Sequence, residues 1–249
     1  MLKQLDLFEA PPPAAVPETG VRIRESRKAR RMFIQVVPPA DVEVVVPVRT
    51  PPRRVEAFVA AHRDWIRQTR EAYGAQYVGD REVRPSSIRL PSTGNQLSVT
   101  YRHAPTTRQR IASADGQLTL SYRDPDLADV PQLLRRWLLS EAKRVLTPWL
   151  STVADEMGRH PKRVQTRLQR TRWGSCSSSG TISLNGNLIF LRPELVRYLL
   201  VHELAHLTHM NHSSRFWARV ARYEPRWRSL DQELSQAWQV LPWWALRCR

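Results

Sequence analysis

Hydrophobic positions follow two different rhythms along the chain. Between Val21 and Tyr122 they sit mostly in short runs: Val21 to Arg27, Arg31 to Val37, Val42 to Val48, Gln96 to Tyr101, Arg108 to Ala112 and Gln117 to Tyr122. These runs are rich in β-branched residues and are broken by Pro38-Pro39 and Pro47, so they predict strands. Asp115-Gly116 separates the last two and predicts a hairpin turn. One stretch in this half keeps helical time. Val55, Phe58, Val59, His62, Trp65 and Ile66 recur at three- and four-residue spacing, which predicts a helix from about Pro52 to Tyr73.

From about Asp124 the rhythm lengthens. Leu133, Leu134, Trp137, Leu138, Ala142, Val145, Leu146 and Leu150 predict a long helix over Val130 to Met157, with Pro148 as its kink point. Val164 to Leu168 and Thr181 to Leu191 are strand-like. Pro193 and Glu194 then open another helix, with proline at the first helical position and an acid at the positive dipole end. No internal repeat is found. The expected fold is α+β, with an antiparallel β-rich region carrying one helix over residues 21–124 and a compact domain over residues 125–240. Residues 1–20 read as a disordered tail, because the short peptide before Pro11, Pro12, Pro13 and Pro17 cannot bury enough to fold alone. Residues 241–249 read as a C-terminal tail.

Composition narrows the class. At 249 residues, 41% hydrophobic and 25% charged, the chain can bury a substantial core. It has neither a run of membrane-spanning length nor a basic-then-apolar leader, so a cytoplasmic, soluble protein is expected. The two cysteines, Cys176 and Cys248, make no disulfide framework and no paired metal-binding spacing. A formal charge of +16 points to a polyanionic neighbour, and non-specific DNA contact is one reading. The other is an arginine-rich composition, since the basic residues are spread out except for Arg159, Lys162, Arg163, Arg167, Arg170 and Arg172.

The chemistry lies in Leu199 to Leu207, where His202-Glu203-Leu204-Ala205-His206 falls inside an apolar helical pattern. Residues four apart lie one turn along a helix, so both imidazoles project from one face and can bind one Zn²⁺. Glu203 sits beside them as a general base for metal-activated water, later handing the proton to a leaving amine. A catalytic zinc needs a third protein ligand. His209, His212, Glu224 and Asp231 are the candidates. His209 lies nearly two turns from His202 on a continuous helix. His212 is favoured if the chain turns sharply at Met210-Asn211, with Asn211 left-handed and Ser213 capping the next helix.

With these residues in view, the C-terminal half resembles the YgjP-like zinc metallopeptidases, relatives of the SprT-like proteases. The resemblance rests on Arg172-Trp173-Gly174-Ser175-Cys176, Ile182-Ser183-Leu184-Asn185 and His202 through Trp217, and extends weakly to the N-terminal half. It implies a zincin-like domain with one zinc held by His202, His206 and His212, Glu203 as general base, and the strand around Ile182 to Asn187 at the edge of the cleft. An edge strand there would pair with an extended peptide. Gly186-Asn187 stands where the family more often carries a bulkier pair, which leaves the cleft shape open. Cys176 reads as a small buried residue in a turn rather than an inhibitory thiolate, and Trp173 and Trp217 as packing. For the oxyanion, Arg172, Asn185 and Tyr198 are the candidates.

Gln4-Leu5-Asp6-Leu7-Phe8 resembles the peptide by which bacterial replication and repair proteins bind the sliding clamp. Leu7 and Phe8 are apolar anchors with no core nearby, on a tail with a proline spacer behind it. The expected protein is a zinc metallopeptidase acting on protein or peptide substrates and recruited to replicating DNA. The alternatives are a zinc hydrolase of a nucleotide or phosphoester, against which the absence of a P-loop or carboxylate cluster counts, and a DNA- or clamp-associated adaptor with structural zinc.

Overall fold

The computed structural model describes residues 21–27, 29–37, 41–68, 71, 84–103, 110–122, 129–169 and 171–246. The chain forms two compact units, Met1–Val78 and Gly79–Arg249. The tail peptide Gln4 to Phe8 and Cys248 lie outside the described residues.

In the first unit, β1 (Val21–Ser26), β2 (Phe33–Val37) and β3 (Asp41–Pro47) form a sheet in the order β1-β3-β2. The Val-rich β3 is central because its neighbours bury it on both edges. It runs parallel to β1 and antiparallel to β2. Helix α1 (Pro52–Ala61) starts with a proline in its first turn, and Val55 and Val59 pack with Ile66 on Val42, Val44 and Val46. The periodicity extends this helix to Tyr73, but α1 stops at Ala61. The His62 ring bonds the Phe58 carbonyl at 2.8 Å, and the His62 N–H turns to Val59 O at 3.1 Å. Side chain and backbone compete for one acceptor, and the α-helical ladder breaks there. Helical turns resume at residues 63–68.

The second unit opens with β4 (Ser87–Leu90), β5 (Asn95–His103), β6 (Arg110–Ala114) and β7 (Gln117–Tyr122), in the order β4-β5-β7-β6. Asp115 and Gly116, at φ 48° and 73°, make the expected hairpin turn. The hairpin inserts β7 beside β5, and those two strands run parallel. Thus each sheet of the N-terminal half mixes a parallel pair with its antiparallel ones, within an α+β fold. Helix α2 (Asp129–Met157) is continuous through Pro148 and buries Leu133, Leu134, Leu138, Ala142, Leu146 and Leu150.

The third sheet contains β8 (Arg163–Arg167), β9 (Gly174–Cys176) and β10 (Thr181–Asn185), in the order β8-β10-β9. Thr181 to Leu191 is not one strand. The Asn185 side chain accepts the Asn187 N–H at 3.1 Å, and the chain turns into a 3₁₀ segment, Gly186–Phe190. A Cβ on Gly186 would meet Leu168 at 3.0 Å, and Asn187 is 2% exposed, so this pair is interior. Helix α3 (Pro193–Ala205) follows, buried on most of its faces, then α4 (Ser214–Tyr223), α5 (Trp227–Gln236) and α6 (Trp243–Leu246). No described helix is long and apolar enough to cross a membrane.

Candidate metal centre

Helix α3 carries His202, Glu203 and His206 at its C-terminal end, as the spacing predicts. The helix then ends at once: Leu207 N–H bonds Leu204 O, and Thr208 and His209 N–H both bond Ala205 O. Among the described non-glycine residues only Arg49 and Asp115 have positive φ, so Asn211 is not left-handed. The reversal begins at His206, before the expected point at Met210-Asn211. Ser213 occupies the N-cap position of α4 with no side-chain cap bond.

The turn brings His212 back to the helix. One ring nitrogen from each of His202, His206 and His212 lies within 4.8 Å of the others. The Nε2 atoms of His202 and His212 are 3.1 Å apart. Two nitrogens bound tetrahedrally to one zinc at about 2.0–2.1 Å would stand about 3.3 Å apart, so this donor set fits a divalent ion of that kind. Burial drives the His202 ring down to about 3, reinforced by His206 and His212, and burial also lowers His206. Both rings are therefore neutral and carry a free lone pair. The His206 Nδ1 bonds the His209 carbonyl at 3.0 Å, and a carbonyl only accepts, so the proton is on Nδ1 and Nε2 is the bare nitrogen.

The other three candidates for third ligand stay out of this cluster. Glu224 accepts from Arg197 Nε at 2.8 Å, and Arg197 also pairs with Glu156 at 2.7 Å, joining α2, α3 and the end of α4. Asp231 accepts from the Tyr198 hydroxyl at 2.7 Å. His209 contributes its carbonyl.

Phe216 of α4 is fully buried beneath the imidazoles, its ring centroid 5.0, 4.6 and 4.7 Å from those of His202, His206 and His212. The exposed His212 ring also stacks on Trp217 at 5.5 Å, which stacks on Trp227 at 4.1 Å. Sequence reasoning gave Phe216 no role at the site, although its spacing of four residues from His212 marks it.

Glu203 is 4% exposed, and its Oε2 has no hydrogen-bond partner. Burial pushes the carboxyl up to about 8, against the pull of Arg172. Over it lies β9. A Cβ on Gly174 would stand 2.6 Å from Glu203 Oε1, so only glycine permits this approach. The sequence contained the signal, a glycine between Trp173 and Ser175, but not the partner.

The strand at the edge of the site is β9 rather than the Ile182 to Asn187 strand. β10 is paired on both sides, parallel to β8 and antiparallel to β9, so it has no free edge. Asn185 N–H bonds Trp173 O at 2.8 Å, and Ser177 N–H bonds Thr181 O at 2.9 Å. Antiparallel pairing alternates, so the main-chain groups of Gly174 and Cys176 point away from β10.

Asn185 is not an oxyanion donor. Its amide nitrogen is used twice, on Gln169 O at 2.8 Å and Arg172 O at 2.7 Å, and it pins the loop that delivers β9. The Tyr198 proton is given to Asp231. Trp173 packs as expected, stacked on Trp238 at 4.1 Å with its indole N–H on Leu234 O. Cys176 is a half-buried strand residue, not a turn residue, and lies outside the imidazole cluster. Burial, with the charge of Glu203, pushes its thiol up to about 11.

No curated protein matches the chain. Among solved structures, the metallopeptidase zymogen of Pyrococcus abyssi abylysin is 29% identical, covering 38% of this chain and 96% of that one with a TM-score of 0.36. The metallopeptidase zymogen of Methanocaldococcus jannaschii jannalysin is 17% identical over 37% of this chain and 96% of that one, with a TM-score of 0.34. The family described as YgjP-like, metallopeptidase domain, matches residues 30–237. That span takes in most of the chain, including the three histidines, Glu203 and β9, and the protein belongs to the YgjP-like metallopeptidase family.

Proposed function

We propose that this metallopeptidase hydrolyses peptide bonds in extended polypeptide segments, using one Zn²⁺ per chain held by His202, His206 and His212, with Glu203 as general base. The all-imidazole donor set suits zinc. A divalent ion held there supplies a Lewis acid for a carbonyl oxygen and a positive charge that acidifies water and keeps Glu203 ionised. Glu203 takes a proton from the attacking water and passes it to the leaving amine nitrogen. Gly174 and Cys176 offer main-chain N–H and C=O groups to a substrate backbone, which adds as a strand on β9.

The observation that carries this reading is the juxtaposition of an unpartnered, buried Glu203 oxygen with a strand edge directed away from its sheet. A structural metal site has no use for either. The test compares wild type with Glu203→Gln on an unfolded protein and on nucleotide and phosphoester substrates. Polypeptide cleavage falling about 10²–10⁴-fold in Glu203→Gln, with metal retained, is expected. Turnover of the nucleotide or phosphoester alone would replace this reading with a different hydrolase, and metal binding without Glu203-dependent turnover would leave an adaptor.

The same reading places the enzyme at replicating DNA through the sliding clamp, supported by Gln4-Leu5-Asp6-Leu7-Phe8 and the +16 charge. Leu7→Ala with Phe8→Ala is expected to abolish binding to a bacterial sliding clamp. Unchanged binding, or none in wild type, would remove clamp recruitment and leave the peptidase untouched.

A further inference from the structure

The three imidazoles are supported in three ways. His206 leans on a backbone carbonyl, and His212 on a stack of tryptophans. His202 leans on side chains. Its Nδ1 lies 3.5 Å from the hydroxyl of Tyr198, one turn earlier on α3, and that hydroxyl donates to Asp231 Oδ1 of α5 at 2.7 Å. A phenol has one proton, and here it is committed to Asp231. The contact with His202 must therefore run the other way, from Nδ1–H to the phenol oxygen. This fixes the tautomer and leaves the lone pair on Nε2, the atom that faces His212 Nε2 at 3.1 Å. Tyr198 is wholly buried, so its hydroxyl meets these two partners and not a substrate.

We propose that Tyr198 and Asp231 are positioning residues for the metal centre: the chain from His202 Nδ1–H to the Tyr198 hydroxyl to the Asp231 carboxylate orients His202, sets its tautomer and raises its basicity. It also makes α5, which carries no ligand, part of the metal site. This rests on the reading of the three histidines as ligands. It assigns Asp231 a place behind a ligand instead of on the metal.

The test measures zinc dissociation constants by chelator competition in the full chain, for wild type, Tyr198→Phe, Asp231→Ala and the double variant. Glu233→Gln is the control, because it breaks the Arg192–Glu233 ion pair that also ties α5 to α3 while leaving the chain intact. Tyr198→Phe and Asp231→Ala are each expected to weaken zinc binding about 10–100-fold. The double variant should be no weaker than the weaker single, since both remove one chain. Glu233→Gln should bind as wild type does. With Co²⁺ in place of zinc, the visible spectrum should change in Tyr198→Phe and not in Glu233→Gln.

Wild-type zinc affinity in a folded Tyr198→Phe would overturn the proposal, as would additive losses in the double variant. A loss confined to Asp231→Ala would make Asp231 a ligand. Asp231 is exposed, so its replacement keeps the test open if Tyr198→Phe does not fold. Absence of zinc binding in wild type would defeat the metal site itself and this proposal with it, whereas unchanged variants beside a zinc-binding wild type would defeat this proposal alone.

Discussion

The helix wall of the site and its strand wall reach the same space by opposite routes. On α3, His202, Glu203 and His206 are placed by helical periodicity within five consecutive residues. On the other side β9 is three residues long and has little structure of its own. It is held by pairing with β10, by the Asn185 amide on the preceding loop, and by the stack of Trp173 on Trp238. The helix wall is local and the strand wall is assembled from distant parts of the sequence. They meet where Gly174 lies against Glu203. The helix wall should therefore keep its metal when the strand wall is damaged.

Gly174→Ala tests this most severely. The added methyl cannot fit against Glu203, so either the carboxylate or β9 must move. Peptidase activity is expected to fall about 100-fold, because displacements near 1 Å cost that much, while zinc binding persists. Loss of metal in a folded Gly174→Ala would show that the two walls are not separable. Asn185→Ala removes the pin at a distance. It leaves the Gln169 and Arg172 carbonyls unpaired, and a loss of about 2–3 kcal/mol is expected in denaturant unfolding, again with zinc retained.

A third prediction concerns the cost of burying Glu203. In the metal-free protein its carboxyl titrates near 8, above its usual 4.5, so folding favours the protonated form. That contribution is complete below about pH 4.5 and is lost as the pH rises through 8. Metal-free Glu203→Gln should then exceed wild type in stability by about 1–3 kcal/mol at pH 8, the margin shrinking toward pH 5. Thermal melts in chelator measure it. A constant margin across that range would place the carboxylate in a wetter environment than the structure shows. The smallest effect belongs to the stack behind His212. Trp227→Leu loosens Trp217 and, through it, the exposed third imidazole, and zinc affinity should drop about 2–10-fold.

What the sequence made legible follows the same division. Helices α2 and α3 and the Asp115-Gly116 hairpin were readable because their signals are periodic or confined to two residues. The return of His212 to the helix was readable because a turn was required, although the helix ends at His206 and Asn211 has no left-handed role. The breaks were harder to see. A side chain competing for the Phe58 carbonyl ends α1 at Ala61, and the Asn185 side chain ends β10 six residues before Leu191. Both are hydrogen bonds that periodicity does not register. The largest misreading was of the edge. Ile182 to Asn185 has the pattern of a strand, but no local pattern states which strand of a sheet is central. Only pairing with β8 and β9 puts β10 inside and β9 outside. The roles of Phe216, Gly174, Tyr198 and Asp231 likewise depend on contacts between elements.

The most direct measurement is bound zinc per chain in purified wild type, His212→Ala and Glu203→Gln. One zinc per chain in wild type and in Glu203→Gln, with a marked loss in His212→Ala, is the predicted result. Full retention of zinc by His212→Ala would contradict the three-histidine site, and a folded wild type that takes up no zinc would contradict the account as a whole.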